Sequence, residues 1–528
     1  MSEVKVDTKK GLMERFIKFI EVIGNKFPHP FWLFVFLSLL VIGLSSWLSQ
    51  KGVSVTSLIS PRAGEAPVET TVAVVNLLGY DAMRTFLAGF VRTYVNFAPL
   101  GLILTMMLGI GIVEQTGMIS ALMRKTILGA PRALVTAVIA IVGINANLAS
   151  DAGIIFTPVI AAAVFKALGR NPWVGIAVGY ASAAGGFTAN LFIAGTDALL
   201  AGITASSVQG VPFIPPDTPV HPLINWYFMV AATVVLTFMT VFVTEKYTVK
   251  MLGDSDGVQD AEELKKHAVT PDENRGLLLA FLTLILYIGL IVWLTYPQGS
   301  FFRANNGNIL PSSPLLASVM PILFFLFFFV GIAYGYGAGT IKKGEDVPKI
   351  MAKGITGSVG FMVVVLPASM FVELFRMSRF DTVLSVTGAE WLQAMNLGGI
   401  PLLLAFIALV TFLNLFMMSG SAKWLILAPI FVPMFAQASS FSPALTQVAY
   451  RVGDSCTNII TPLSYYLPVV IGLLEQYKKD KETEVGIGTV ISMAMPFSIF
   501  YILGFTVLLV GWYLLGLPLG PATPVLLS

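Results

Sequence analysis

The chain alternates long apolar stretches with short polar ones, and most of the apolar stretches reach the ~20 residues that cross a bilayer as a helix. The first, Phe31–Leu48, follows a segment, residues 1–28, that carries Lys5, Lys9, Lys10, Arg15, Lys18 and Lys26. Basic residues mark the cytoplasmic side, which places this segment inside, with Leu12–Ile23 either lying along the interface or solvated. No small-residue cleavage site ends the first stretch, so it reads as a retained helix. Residues 50–88 read as an external loop of short irregular structure. Residues 94–113 form a second helix that returns to Arg124, Lys125 and Arg132.

Two regions depart from this pattern. Ala133–Leu148 and Ala152–Leu168 are apolar but short for a span, and the turn between them, Asn145-Ala-Asn-Leu-Ala-Ser-Asp151, is polar. Basic residues flank both outer ends. The pair therefore reads as a re-entrant hairpin, about 133–168, entered from the cytoplasm, with two ordinary helices and a small outer loop as the alternative. Residues 172–205 then run as a helix interrupted at Gly185-Gly-Phe-Thr-Ala-Asn190 and Gly195-Thr-Asp197, where glycine, Asn and Thr disfavour continuous helix. An external loop at 206–222 and a span at 223–244 complete the first half, 29–244. A hydrophilic cytoplasmic linker, 245–275, separates it from the second half, 276–528.

The second half repeats the plan. Helices at about 276–296, 314–338 and 354–375 lead to an external segment, 376–397. A second hairpin, about 400–438, is entered from outside. A second broken helix, about 444–476, precedes a last span at 489–515 that leaves the C-terminus outside. The pattern predicts an all-α polytopic membrane protein of nine transmembrane helices plus two opposed re-entrant hairpins.

Ser150, Pro158 and Pro172 recur as Ser421, Pro429 and Pro443 at one offset of 271; Tyr180 and Asn190 recur as Tyr450 and Asn458 at 270 and 268. Polar tip, apolar arm, Pro-led arm and polar break follow in the same order in both halves. Because the hairpins enter from opposite sides, the repeat is inverted, the architecture of secondary transporters with a site near the midplane. Broken helices free backbone groups that cost several kcal/mol each in lipid, so tips and breaks must converge on water, ions or solute.

Composition agrees. Of 528 residues 56% are hydrophobic and 12% charged, about half the charge of a soluble domain. A net charge of +3 supports no nucleic-acid partner, and the single Cys456 excludes an internal disulfide framework. His29, His221 and His267 fall near segment ends or in loops, so neither a histidine relay nor a His-ligated metal is expected. There is no HExxH, GxSxG or GxxxxGK[ST], which leaves an intramembrane enzyme and an ATP-driven pump as weaker readings than a transporter, and the paired hairpins argue against the continuous pore of a channel.

Charges within membrane sequence are expensive and functional. Asp151, Asp197, Lys423, Arg451 and Asp454 are therefore read as site-lining or paired, Arg451 with Asp454 at i,i+3 being the plain structural pairing. Asp197 has no basic neighbour in sequence, which makes it the candidate proton carrier; Asp454 is a candidate for substrate or ion contact. Ser421, Lys423 and Trp424 at the second tip, with Arg451, suit an aromatic ring bearing anionic groups, although Trp424 also fits an interface position. Asn145, Asn147, Asn190, Thr457 and Asn458 offer oxygens for ion coupling. Among them Asn145, Asn190, Thr457 and Asn458 are the candidate Na⁺ ligands, and capping of the broken helices is the alternative. No cofactor is expected beyond a coupling H⁺ or Na⁺.

The segments NLASDAG, GGFTANLFIAGTDALLAG, SGSAKW and YRVGDSCTNIITPLSYYLP resemble, in order and spacing over nearly the whole chain, the p-aminobenzoyl-glutamate transporter (AbgT) family. The resemblance implies a homodimer in the bacterial inner membrane that imports p-aminobenzoyl-glutamate or exports sulfonamide antimetabolites. It also implies functional positions at Asp197, Ser421, Trp424, Pro443, Arg451, Asp454 and Pro462. A Na⁺-coupled importer of another small carboxylate or dipeptide-like solute is the alternative.

Overall fold

The computed structural model describes residues 28–59, 68–209, 211, 213–253, 268–309, 313–356, 359–464, 466–478 and 485–527. Leu12–Ile23 and residues 254–267 of the 245–275 linker lie outside the described residues.

Pro at the first turn starts α1 (Pro30–Gln50), whose N-terminus His29 caps through its side chain. Beyond it the chain differs from the irregular loop expected. Ser54–Ile59 (β1) and Val68–Ala73 (β2) pair antiparallel from Ser54↔Ala73 to Ile59↔Val68, because this Ser/Thr/Val-rich run is β-branched and alternating. The next helix also begins earlier, as α2 (Tyr80–Val95), and continues after a break at Asn96–Phe97 as α3 (Ala98–Gln115). A short α4 (Met118–Leu128) leads to the first hairpin, α5 (Val135–Ile144) and α6 (Ser150–Ala167), joined by a tight 3₁₀ turn, Asn145–Ala149. The broken helix follows as α7 (Pro172–Tyr180), a π-helical turn at Ala181–Gly185, a non-helical stretch and α8 (Gly195–Val208).

Next comes α9 (Trp226–Val243). It runs on through a π-helical turn, Thr244–Thr248, to Leu252, further than the expected linker boundary. Glu245, read from sequence as linker, instead meets Arg170 at 3.2 Å beside hairpin 1. The second half contains α10 (Pro271–Trp293), α11 (Val319–Gly337), α12 (Asp346–Thr356) and α13 (Val359–Met377). The segment expected to stay outside is the helix α14 (Phe380–Ala394), bent 117° from the next element. Its Phe380, Val383, Val386, Ala389 and Leu392 are buried at helical spacing, a pattern its charged flanks obscure. The second hairpin is α15 (Gly399–Asn414) and α16 (Gly420–Ser439); the second broken helix is α17 (Pro443–Cys456) and α18 (Leu467–Gln476); α19 (Ile487–Leu514) ends the helices.

Among the described residues, eight helices are long and apolar enough to cross a membrane. One of them is α16, an arm of hairpin 2. The other seven, with the two broken helices, make the nine spans expected.

Glycine lets the hairpins press onto the broken helices. A Cβ on Gly179 would lie 2.6 Å from Pro158 Cα, and one on Gly453 would lie 2.7 Å from Val410 Cβ. So α6 packs along α7, and α15 along α17.

Candidate functional site

Every residue of α17 is buried, although the sequence PALTQVAYRVGDSC is far from uniformly apolar. A polar rod inside a membrane protein must have its groups paired one by one. Ser442 accepts from Leu445 N–H at the N-cap, and Pro443 occupies the first turn. Gln447 donates to Asn225 Oδ1 at 2.7 Å and accepts from Thr204 at 2.5 Å.

One turn on lie the charges, and they pair across the fold rather than along the helix. Arg451 reaches Asp197 at the start of α8, the two side chains being 1% and 2% exposed. The other Asp197 oxygen accepts from Asn190 Nδ2 and from Ala194 N–H, both at 2.7 Å. Asp454 meets Lys423 of α16 at 2.7 Å. The i,i+3 pairing of Arg451 with Asp454 is therefore not the one adopted. The premise for Asp197 as proton carrier also falls, since a guanidinium and two further donors hold its carboxylate.

Asn414, at the end of α15, was not singled out from sequence. Its Oδ1 accepts from Lys423, and its Nδ2 faces the Asp454 carbonyl, Thr457 Oγ1 at 2.9 Å and Asn458 Oδ1 at 2.8 Å. It is the one amide in a long apolar arm, and it stands at the arm's end, a position that was its signal. Thr188 in the first break bonds Ser455 and the Arg451 carbonyl, stitching one break to the other.

Trp424 is fully buried. Tyr450 covers its ring, with centroids 4.5 Å apart and planes at 28°, and its indole N–H donates to Thr204 at 2.9 Å. No face is left for a solute ring, and the interface alternative fails too. Large aromatic surface is most stable inside, and the helix turn of SGSAKW aims Trp424 inward. Tyr450 in turn donates to the Gly420 carbonyl and lies 3.2 Å from Asp454 Oδ1.

Both breaks and tip 2 enclose one cavity of about 390 Å³. Its wall includes Ala184, Phe187, Thr188 and Thr196 from the first break, Ile154 of α6, Met418–Ser421 from the second tip, and Asp454, Asn458 and Tyr466. Of the expected residues, Ser421, Asp454 and Asn458 line it. Lys423 and Arg451 stand behind the wall. Pro443 lines a separate recess of about 110 Å³ with Pro215 and Pro524; Pro462 lies in the second break, off this cavity's wall. Asp151's side chain lies outside the described residues.

The candidate Na⁺ ligands divide. Asn145 Oδ1 accepts from Leu191 N–H at 2.8 Å, and Thr457 and Asn458 accept from Asn414. These oxygens brace the breaks, the capping alternative. By contrast Asn147 Oδ1, Asn190 Oδ1 and Thr196 Oγ1 are buried without a hydrogen-bond partner among the described residues, and all three belong to the first tip and break. No group of three His, Cys, Asp or Glu side chains comes together among the described residues.

A profile of the AbgT putative transporter family matches residues 15–527. The chain belongs to the AbgT family. Among its relatives, the p-aminobenzoyl-glutamate transport protein of Escherichia coli K12 is 34% identical over 521 residues, covering 99% of this chain and 98% of that protein. The Alcanivorax borkumensis YdaH transporter, described as having an unusual topology, superposes with a TM-score of 0.84 at 34% identity over 94% of this chain and 100% of that one. Neisseria gonorrhoeae MtrF, described as illuminating a class of antimetabolite efflux pumps, does so at 0.88 and 36% identity over 96% and 99%. This AbgT chain is thus a multi-pass membrane transporter for a small molecule.

Proposed function

We propose that the chain is a secondary transporter of p-aminobenzoyl-glutamate-like folate precursors, or an exporter of sulfonamide antimetabolites, in the bacterial inner membrane, acting as a homodimer. The carrying observation is the single cavity walled by both helix breaks and one hairpin tip. Two relatives support the solute class, one described as carrying p-aminobenzoyl-glutamate and one as an antimetabolite efflux pump. Asp454, on the wall and paired to Lys423 behind it, is the coupling carboxylate; protonating it would release Lys423 to an anionic solute. The unsatisfied oxygens of Asn147, Asn190 and Thr196 are the place for a Na⁺ if sodium is the coupling ion.

The test is counterflow of radiolabelled p-aminobenzoyl-glutamate and of a sulfonamide in proteoliposomes, with pH and Na⁺ gradients imposed separately. Accumulation driven by one gradient supports the reading and names the ion. Conductance without saturation or exchange would point to a channel and remove it.

A further inference from the structure

The helix α8 touches two chambers. Thr196, Leu199 and Leu200 near its start line the central cavity. At and just beyond its other end, Ser206 and Gln209 line a second recess of about 230 Å³, together with Arg92 and Asn96 at the α2–α3 break and Glu373 and Arg376 of α13. An adjoining recess of about 480 Å³ shares Glu373 and Arg376 and adds Asp81 and Arg379. Three arginines thus face two carboxylates. Arg376 and Glu373 satisfy one another at 2.6 Å. Arg92 is exposed, and its side chain makes no hydrogen bond or ion pair among the described residues.

Between the chambers α8 is sealed against α3. Leu200 and Ser206 are about 9 Å apart along the helix at ~1.5 Å per residue, and Ala201, Ile203 and Thr204 between them are buried. Gly202 sits so close to α3 that a Cβ there would lie 2.9 Å from Leu102 Cδ1 and 3.0 Å from Pro99 Cα. The recess is thus a positively biased chamber, ringed by uncharged hydrogen-bonding groups, one closed seam away from the cavity.

We propose that this recess is a capture station, in which Arg92 binds a carboxylate of the solute before the α3–α8 seam opens. The station rests on the transporter reading of the central cavity. A guanidinium suits a carboxylate or a phosphate equally, so lipid headgroups are the competing source of the same chemistry.

The test uses full-length protein in proteoliposomes and p-aminobenzoyl-glutamate presented from the face bearing residues 209–225. Arg92→Gln should raise the apparent KM from that face about tenfold, the lower part of the range for charge-guided capture. Vmax from that face, and the KM from the opposite face, should not change, while Vmax from the opposite face falls in step, as detailed balance between the two directions requires. Arg92→Lys should recover most of the loss, and added salt should weaken wild-type capture more than that of Arg92→Gln. An unchanged KM, an equal rise in KM from both faces, or an effect confined to liposomes containing phosphatidylglycerol would overturn the station, the last by assigning Arg92 to a lipid. Failure of the transporter reading looks different, as absence of counterflow in the wild type. In that event equilibrium dialysis of p-aminobenzoyl-glutamate against detergent-purified protein decides. A salt-sensitive binding equivalent lost in Arg92→Gln sustains the station, and its absence ends it.

Discussion

Arg451 of α17 closes an ion pair with Asp197 of α8, 254 residues earlier in the chain. It links the break of one half to the break of the other. Both groups are desolvated, and the one other charge on either helix, Asp454 at i,i+3 from Arg451, is engaged by Lys423.

Removing one member should therefore cost more than removing both. Arg451→Ala or Asp197→Asn leaves its partner buried and unpaired, a loss of about 3–5 kcal/mol. The double variant Asp197→Asn/Arg451→Gln should unfold closer to the wild type in a thermal melt of detergent-purified protein. A double variant as unstable as the sum of the singles would show that the two residues do not act as a pair.

The wall pair is expected to govern coupling instead. Asp454→Asn/Lys423→Gln removes both charges and should lower gradient-driven accumulation about ten- to a hundredfold, the scale of a coupling of about 1–3 kcal/mol. Solute exchange in counterflow should persist with a raised KM, because Lys423 no longer meets the anionic group. Gradient-driven accumulation at wild-type level would take the coupling role from Asp454.

Trp424 should behave as a structural residue. Trp424→Phe keeps the stack on Tyr450 but loses the N–H to Thr204 and part of the buried ring volume, so about 1–3 kcal/mol of stability is at stake. The ratio of KM values for aromatic and non-aromatic carboxylates should not move. A shift in that ratio would mean that the ring meets the solute after all.

Gly179→Ala tests the hairpin contact. Its Cβ would enter the backbone of α6 at Thr157 and Pro158, 2.9 Å from the Thr157 carbonyl carbon and 2.6 Å from Pro158 Cα, and overpacking of this kind costs about 1–3 kcal/mol. Gly289→Ala, with nothing within 4 Å, is the matched control and should melt with the wild type.

Outside the spans, His221 holds residues 219–228 to the chain after α19. Its Nδ1 accepts from Leu223 N–H at 3.2 Å and its Nε2 lies 3.1 Å from the Pro521 carbonyl. Burial holds the imidazole below its ordinary value of 6.5, against the opposing pull of the Pro521 carbonyl. The unfolded chain therefore binds the proton first as pH falls. The contribution of His221 is complete above 6.5 and is lost as pH drops through the lowered folded value. Melting temperature should decline with acidification from that point, and the decline should be shallower in His221→Gln.

The spans, hairpins and broken helices were legible because each leaves a mark on hydropathy: length, a polar tip, or Pro and Gly inside an apolar run. The convergence of Asp454, Asn458 and Ser421 on one cavity followed from the repeat. What sequence could not supply was partner choice. Nothing local to Asp197 names Arg451, and nothing in SGSAKW says that Lys423 turns to Asp454 while Trp424 turns to Tyr450. Helix α14 was missed for a related reason. Its charged flanks outweighed a buried stripe that has meaning only against the elements it packs on, α16 foremost.

Ala184 stands, in the duplicated frame, where Asp454 stands in the other half, and both face the cavity. One wall is charged and its twin is a methyl group. A symmetric pair of half-sites would accept a lopsided cargo either way round, but this one distinguishes head from tail. A solute with an acidic end and an aromatic end would therefore keep one attitude throughout its passage, with the same end always leading.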